Sequence, residues 1–329
     1  MKTIKFLLLS IAAVTLAACS NESVSDIVTP QTSNDEILLK SDIIATTGTR
    51  ASSSLTGSQI PAGIENVGVY IYKTGTTDIT DNYGYEGYLY DADGQGGLVL
   101  GTSSHRQYKP YYPSDGAKVD MYVYAPVNLV TINGFNDSQE IMVRYNQSTN
   151  ADFINCDLVY GKIVNQAKVK TAVNVPMSHQ FAKVVVNLYA EQGISEDVIK
   201  KAEVKLMNMQ LNKRFNFSTG VMSEPRNEPL KYDITMKSIT DATLNLAAVV
   251  VPQTVENGSE FINITYGGAT YVYNYDGKDA EEQPKDLVFE SGKVYTFDVT
   301  VRTVGVTATT TVTDWTDGEN KNGGAIIKI

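Results

Sequence analysis

The chain has 329 residues, 42% of them hydrophobic and 19% charged, with a net charge of −10 and only two histidines and two cysteines. That length can bury a core without disulfide staples. The acidic balance disfavours nucleic acid or an anionic membrane surface as a partner, and the scarcity of histidine and cysteine leaves little material for triad or zinc chemistry.

The chain opens on a signal pattern. Lys2 and Lys5 precede an apolar run over residues 6–14, too short to span a bilayer, and small residues lead into Leu16-Ala17-Ala18-Cys19. A cysteine directly after Leu-Ala-Ala is a lipobox, which makes residues 1–18 a lipoprotein signal peptide and Cys19 the expected lipidation site. Its thiol takes a diacylglycerol and its freed amine another chain, each buried CH₂ adding about 0.8 kcal/mol of anchoring. No later apolar stretch is long enough to cross a membrane. With Cys19 acylated, Cys156 has no disulfide partner, and it reads as a small buried apolar residue rather than a nucleophile.

A polar linker rich in Ser, Thr and Asn follows. Within it residues 36–44 (EILLKSDII) are strand-like. Two readings stand side by side: a tether with a few apolar residues, or a β-strand that completes the first sheet until it is cut away. Arg50 is the only arginine before the first strong strand and lies in a polar stretch, residues 45–54. It reads as a second processing signal, with cleavage between Arg50 and Ala51 and residues 19–50 as a propeptide.

From residue 65 onward the period is two. Val67, Val69 and Ile71 alternate with Gly68, Tyr70 and Tyr72; Val119, Met121 and Val123 with Asp120, Tyr122 and Tyr124. The same holds for Val184, Val186 and Leu188, and for Tyr295, Phe297, Val299 and Val301. Such alternation predicts half-buried strands in antiparallel sheets. Residues 244–251 are more continuously apolar and predict a central strand stopped by Pro252. The one helix expected is residues 195–202, with Ser195 as N-cap. A Tyr-rich first half and a Val/Ile/Thr-rich second half suggest two domains, 51–175 and 176–329. The tail ends in Ala325-Ile326-Ile327-Lys328-Ile329, β-prone after a flexible acidic and Asn-rich stretch. It is a candidate donor strand through Ile326, Ile327 and Ile329, or a plain internal edge strand.

Other chemistry is thin. His105 and His179 each follow a serine, which is adjacency rather than triad geometry. Residues 91–97 resemble a calcium loop but lack its third Asp/Asn and distant Glu, so a turn is expected and no metal site. Glu281 and Glu282 read as solvated. Tyr83, Tyr85, Tyr88, Tyr90, Tyr108, Tyr111 and Tyr112 could form a stacking surface for sugars or simply line strands with one wet face. No cofactor and no catalytic residue are expected.

Several of these stretches together resemble the Bacteroidales fimbrillins. Residues 111–126 (YYPSDGAKVDMYVYAP) are similar to the family's Tyr-Pro, Gly turn, alternating strand and Tyr-x-Pro; residues 177–186 to its His-x-x-Ala-Lys strand. Residues 250–254, 267–271, 289–295 and 312–315 follow the C-terminal pattern in order, closing on Trp315. The resemblance implies an all-β chain of two tandem transthyretin-like antiparallel β-sandwich domains with Greek-key character. It further implies a non-enzymatic type V pilus subunit, exported as an outer-membrane lipoprotein precursor and cut at Arg50 by an extracellular arginine-specific protease. Strand exchange with other pilus subunits would then build a cell-surface fimbrium that supports adhesion. Tip or anchor roles in the same pilus, or a tethered glycan-binding lipoprotein, are the alternatives.

Overall fold

The alternating stretches form strands, and the described residues are all-β apart from two short α-helices and a 3₁₀ turn at Val127–Leu129. The computed structural model describes residues 35–44, 59–76, 87–102, 109–130, 135–239, 244–302, 305–315 and 326–327. Cys19, Arg50, Ala51, His105, Ile329, Tyr83, Tyr85 and Tyr108 lie outside the described residues.

The first unit holds β1 (Leu39–Ile43), β2 (Gly63–Lys73), β3 (Tyr88–Ala92), β4 (Gly97–Leu100), β5 (Val119–Ala125), β6 (Ser138–Met142), β7 (Val159–Gln166) and β8 (Val173–His179). Seven of these close a barrel in the order β1-β4-β3-β2-β5-β7-β8, with β8 returning to β1. Val67, Val69, Ile71, Val119, Met121 and Val123 fill its interior. β6 leaves the barrel to pair with a strand of the second unit.

The second unit holds β9 (Ala182–Ala190), β10 (Glu203–Gln210), β11 (Asn212–Asn216), β12 (Val221–Ser223), β13 (Lys231–Thr235), β14 (Lys237–Ser238) and β15 (Asn245–Val250). It continues through β16 (Gln253–Val255), β17 (Glu260–Tyr266), β18 (Ala269–Asn274), β19 (Leu287–Phe289), β20 (Lys293–Arg302), β21 (Gly305–Asp314) and β22 (Ile326–Ile327). A six-stranded sheet β14-β15-β9-β20-β21-β22 and a four-stranded sheet β13-β10-β17-β18 share one apolar core that includes Val184, Val186, Leu206, Ile262, Phe297 and Val299. The chain passes from the barrel to this unit between His179 and Ala182, whereas the expected boundary at 175/176 falls inside β8.

Three expectations meet a physical correction. The antiparallel pattern has two parallel exceptions, β1 with β8 and β9 with β20. β2 and β5 are not half-buried: Tyr70, Tyr72, Tyr122 and Tyr124 point away from the barrel interior yet are buried as well. Phe135 sits 4.7–4.8 Å from the rings of Tyr70, Tyr72 and Tyr122, and Phe217 lies 4.8 Å from Tyr124. A tyrosine ring can fill an apolar contact where a polar face was expected. The third correction is α1 (Asn150–Ile154), a helix the periodicity did not announce, capped by Thr149 Oγ1 accepting from the Asp152 N–H. The expected helix near Ser195 is α2 (Glu196–Ile199), with Ser195 at the N-cap position but no side-chain cap bond.

His179 ties the two units. Its Nδ1 lies 2.9 Å from Asp157 Oδ1, and its ring stacks at 3.9 Å on Trp315, just past the end of β21. Both residues are buried.

Two outcomes test this packing. Gly68 faces Tyr124 across β2 and β5, and a Cβ there would meet the tyrosine ring at 2.2 Å. Gly68→Ala should lower stability by about 1–3 kcal/mol in urea unfolding, with the slope unchanged. Burial pushes the Cys156 thiol up to about 12. In protein lacking Cys19, iodoacetamide at pH 8 should leave native Cys156 unlabelled and modify it fully in guanidinium.

Candidate interaction site at the β1 seam

The residues between Cys19 and Arg50 include the strand that closes the barrel. β1 lies between β4, to which it is antiparallel through Leu39 opposite Leu98, and β8, to which it is parallel from Leu39 opposite Val173 to Ile43 opposite Met177. The Ser41 N–H donates to the Gly96 carbonyl at 2.9 Å, and the Ile44 N–H to the Met177 carbonyl at 2.7 Å. In return the Val173 N–H donates to the Leu38 carbonyl at 2.8 Å. The segment ahead of β1 adds two more bonds, Ile37 N–H to the Pro110 carbonyl and Tyr112 N–H to the Asp35 carbonyl.

Alternation decides which side chains enter the groove. Ile37, Leu39, Ser41 and Ile43 are buried, while Leu38, Lys40 and Ile44 are exposed. Ile37, Leu39 and Ile43 belong to the barrel's apolar cluster with Val175, Met177, Tyr90 and Tyr112. Burying three such aliphatic side chains is worth roughly 5–9 kcal/mol, an upper estimate because unfolded chains are partly compact. On the rim, Glu36 pairs with Lys109 at 3.0 Å and Asp35 with Lys168. These pairs are solvent-exposed and contribute little to stability.

Ile43 also lines a cavity of about 270 Å³ together with Gln59, Ile60, Pro126, Ile154 and Val159. Residues on both sides of the 45–58 stretch, which contains Arg50, thus meet at one corner of the barrel.

The tail is placed differently. β22 pairs antiparallel with β21, Ile327 opposite Thr310 and Ile326 opposite Thr311. Among the described residues, Ile326 and Ile327 thus pair with two positions of a strand ten residues long, and not with β4 or β8 at the β1 seam.

The other sequence candidates fall away from chemistry. Tyr88, Tyr90 and Tyr112 are buried in the barrel cluster, so they offer no stacking face to a sugar. Asp93 spends its Oδ1 on the Gln95 and Gly97 N–H groups, the internal bonding of a β3–β4 turn. Glu282 is exposed and pairs with Lys278. No group of three or more His, Cys, Asp or Glu side chains gathers among the described residues, and none of their helices is long and apolar enough to cross a membrane. Sequence reading missed β8 as a partner of β1 and missed Gly96, whose φ of 95° and missing side chain let the Ser41 carbonyl approach within 2.8 Å of where a Cβ would sit. The Asp-Gly-Gln-Gly-Gly run was the available signal for the second of these.

A chain of similar length in Bacteroides uniformis, a candidate fimbrium subunit named Fim1C, is 23% identical over 317 residues, which cover 95% of this chain and 94% of the relative. Two solved structures share the fold. A candidate cell adhesion protein of Bacteroides ovatus superposes with a TM-score of 0.65 at 14% identity, over 88% of this chain and all of the other. A candidate cell adhesion protein of Bacteroides uniformis gives 0.61 at 18% identity, over 85% and 99%. The fimbrillin-like family signature matches residues 49–315, so β1 precedes the matched region and β22 follows it. By that match across most of its length, the chain belongs to the fimbrillin-like family, whose members are fimbrial structural and adhesion proteins rather than a class of enzymes.

Proposed function

We propose that this fimbrillin-like chain is a structural subunit of a type V pilus whose barrel is sealed by β1 until processing, and that another subunit's strand then replaces it. On this reading Cys19 carries the lipid of an outer-membrane precursor. An extracellular arginine-specific protease cuts between Arg50 and Ala51, and the subunit passes into a surface fimbrium that supports adhesion. The two domains would be the transthyretin-like sandwiches of the family, the first of them closed by its propeptide strand.

One observation carries the reading: the strand that closes the barrel lies upstream of Arg50. While the chain is whole, β1 is tethered and rebinds at the high effective concentration of an intramolecular contact. A cut at Arg50 breaks no bond inside β1. It turns an intramolecular pairing into one that dilution and competition can undo. Loss of β1 would leave the N–H and C=O groups of β4 and β8 unpaired along an apolar groove, a template for strand addition. The C-terminal residues Ala325 to Ile329 of a second subunit supply the donor; their short β22 pairing leaves little to undo first. A shaft subunit needs both the cut and the tail, a tip subunit the cut alone, and an anchor subunit its lipid.

Three outcomes test it. Treatment of the full-length protein with an arginine-specific protease should give Ala51 as the new N-terminus, read by Edman sequencing. Arg50→Ala should remain monomeric under the same treatment, and ladder formation by that variant would overturn the mechanism. Removal of residues 325–329 should abolish ladders in size-exclusion and SDS analysis while changing unfolding free energy by less than about 1 kcal/mol, because only a two-residue edge pairing is lost.

A further inference from the structure

β1 has a flaw at its centre. Its inward positions are Ile37, Leu39, Ser41 and Ile43, three aliphatic side chains and one hydroxyl. Ser41 is 1% exposed. Its Oγ has no hydrogen-bond partner among the described residues, although it can both donate and accept. The Ser41 N–H is committed to the Gly96 carbonyl at 2.9 Å, and the Ser41 carbonyl and the Gln59 amide lie 2.8 and 3.3 Å from where a Cβ on Gly96 would sit, yet neither answers the hydroxyl. Gly96 brings no side chain that could answer the hydroxyl. On either side the strand is well made: Leu39 and Ile43 enter the apolar cluster, and both edges are bonded.

An unsatisfied buried hydroxyl weakens a contact that is otherwise apolar. In a strand meant to stay, an alanine here would avoid the stranded hydroxyl, and a valine would also suit the pleated surface. We propose that Ser41 is the release residue of β1: its stranded hydroxyl makes the resident strand a weaker occupant than a strand apolar at the same position, so the groove discriminates in favour of the latter. This rests on the strand-exchange reading above. The occupant it favours is the tail of a second copy of this chain. A tail aligned parallel to β8 with Ala325, Ile327 and Ile329 at the Leu39, Ser41 and Ile43 positions brings only apolar side chains inward and leaves Lys328 outward where Asp42 lies. The position works as a bias rather than a lock. While the chain is whole, tethering masks the weakness, and after the cut the weakness sets which strand wins.

The test follows release of the fragment ending at Arg50 from protease-cut protein in which Cys19 is replaced, by size exclusion and mass spectrometry. Ser41→Ala deletes the hydroxyl without adding bulk and should slow release by about tenfold or more. Lys40→Ala, outward on the same strand, should leave the rate unchanged. A second measurement does not depend on how a variant folds. A synthetic peptide of residues 35–44 carrying Ser41→Ala should displace the bound fragment of wild-type cut protein at about tenfold lower concentration than the wild-type peptide does. If wild-type protein releases its fragment and assembles, but both Ser41→Ala experiments match wild type, the role of Ser41 is overturned and strand exchange stands. If the wild-type fragment stays bound and the cut protein stays monomeric, strand exchange falls and the role of Ser41 with it.

Discussion

The first unit depends on backbone pairing at one seam. Without β1 the remaining six strands form an open sheet, bounded by β4 on one side and β8 on the other. Closure removes both edges at once, which is the most complete protection a β-structure has against pairing with a neighbour. A strand of five residues does this because it is bonded on both sides and buries alternate side chains inside. Together with Ile37 just ahead of it, its apolar burial of roughly 5–9 kcal/mol is comparable to the whole stability of a typical domain. Such a strand does not leave by itself in a tethered chain. It becomes replaceable when it is no longer covalently attached and when something of at least equal quality arrives.

The same comparison explains why the position of Arg50 matters more than its chemistry. On the proposed reading, a cut at Arg50 severs no bond within β1 or to its two partner strands. What it changes is the concentration at which β1 competes for its own groove, from an effective intramolecular value to that of a free fragment. Because the loss is entropic, the folded contacts of the cut protein are those of the uncut one. On the proposed reading, kinetic control would follow, the seam staying shut after a cut for as long as β1 takes to unzip from two edges.

Much of this was legible in sequence, with gaps of a physical kind. The apolar content of residues 36–44 left a tether and a strand both open, whereas the strands around Val67, Val119, Val184 and Phe297 were visible from their alternation. The partner of β1 was not. A parallel pairing with β8 joins residues far apart in the chain, and local alternation carries no information about which distant strand a given strand will meet. The burial of both faces of β2 and β5 was hidden for a different reason. Tyr70, Tyr72, Tyr122 and Tyr124 carry a hydroxyl that reads as surface, yet their rings pack against Phe135 and Phe217 brought in from elsewhere in the fold. Nothing in the sequence singled out Ser41, since its isolation depends on neighbours that only the closed barrel supplies.

That aromatic layer and the β1 seam belong to one design. In the ring of strands, β2 and β5 are the pair farthest from β1, three steps away by either β4 and β3 or β8 and β7. They are also the strands clamped from outside, where the tyrosine rings meet Phe135 and Phe217, and β6 is bonded to β11 of the second unit. His179 at the end of β8 is fixed as well, by Asp157 and by the Trp315 ring. The wall opposite the seam and the last residue of one of its edges are therefore held by contacts that β1 does not make. On the strand-exchange reading, withdrawing β1 would open a groove whose far wall is held by these other contacts. A groove of fixed shape costs an incoming strand little ordering on the acceptor side, so the backbone bonds it forms appear more fully as affinity. On that reading, rigidity on one side of the barrel is what would favour exchange on the other.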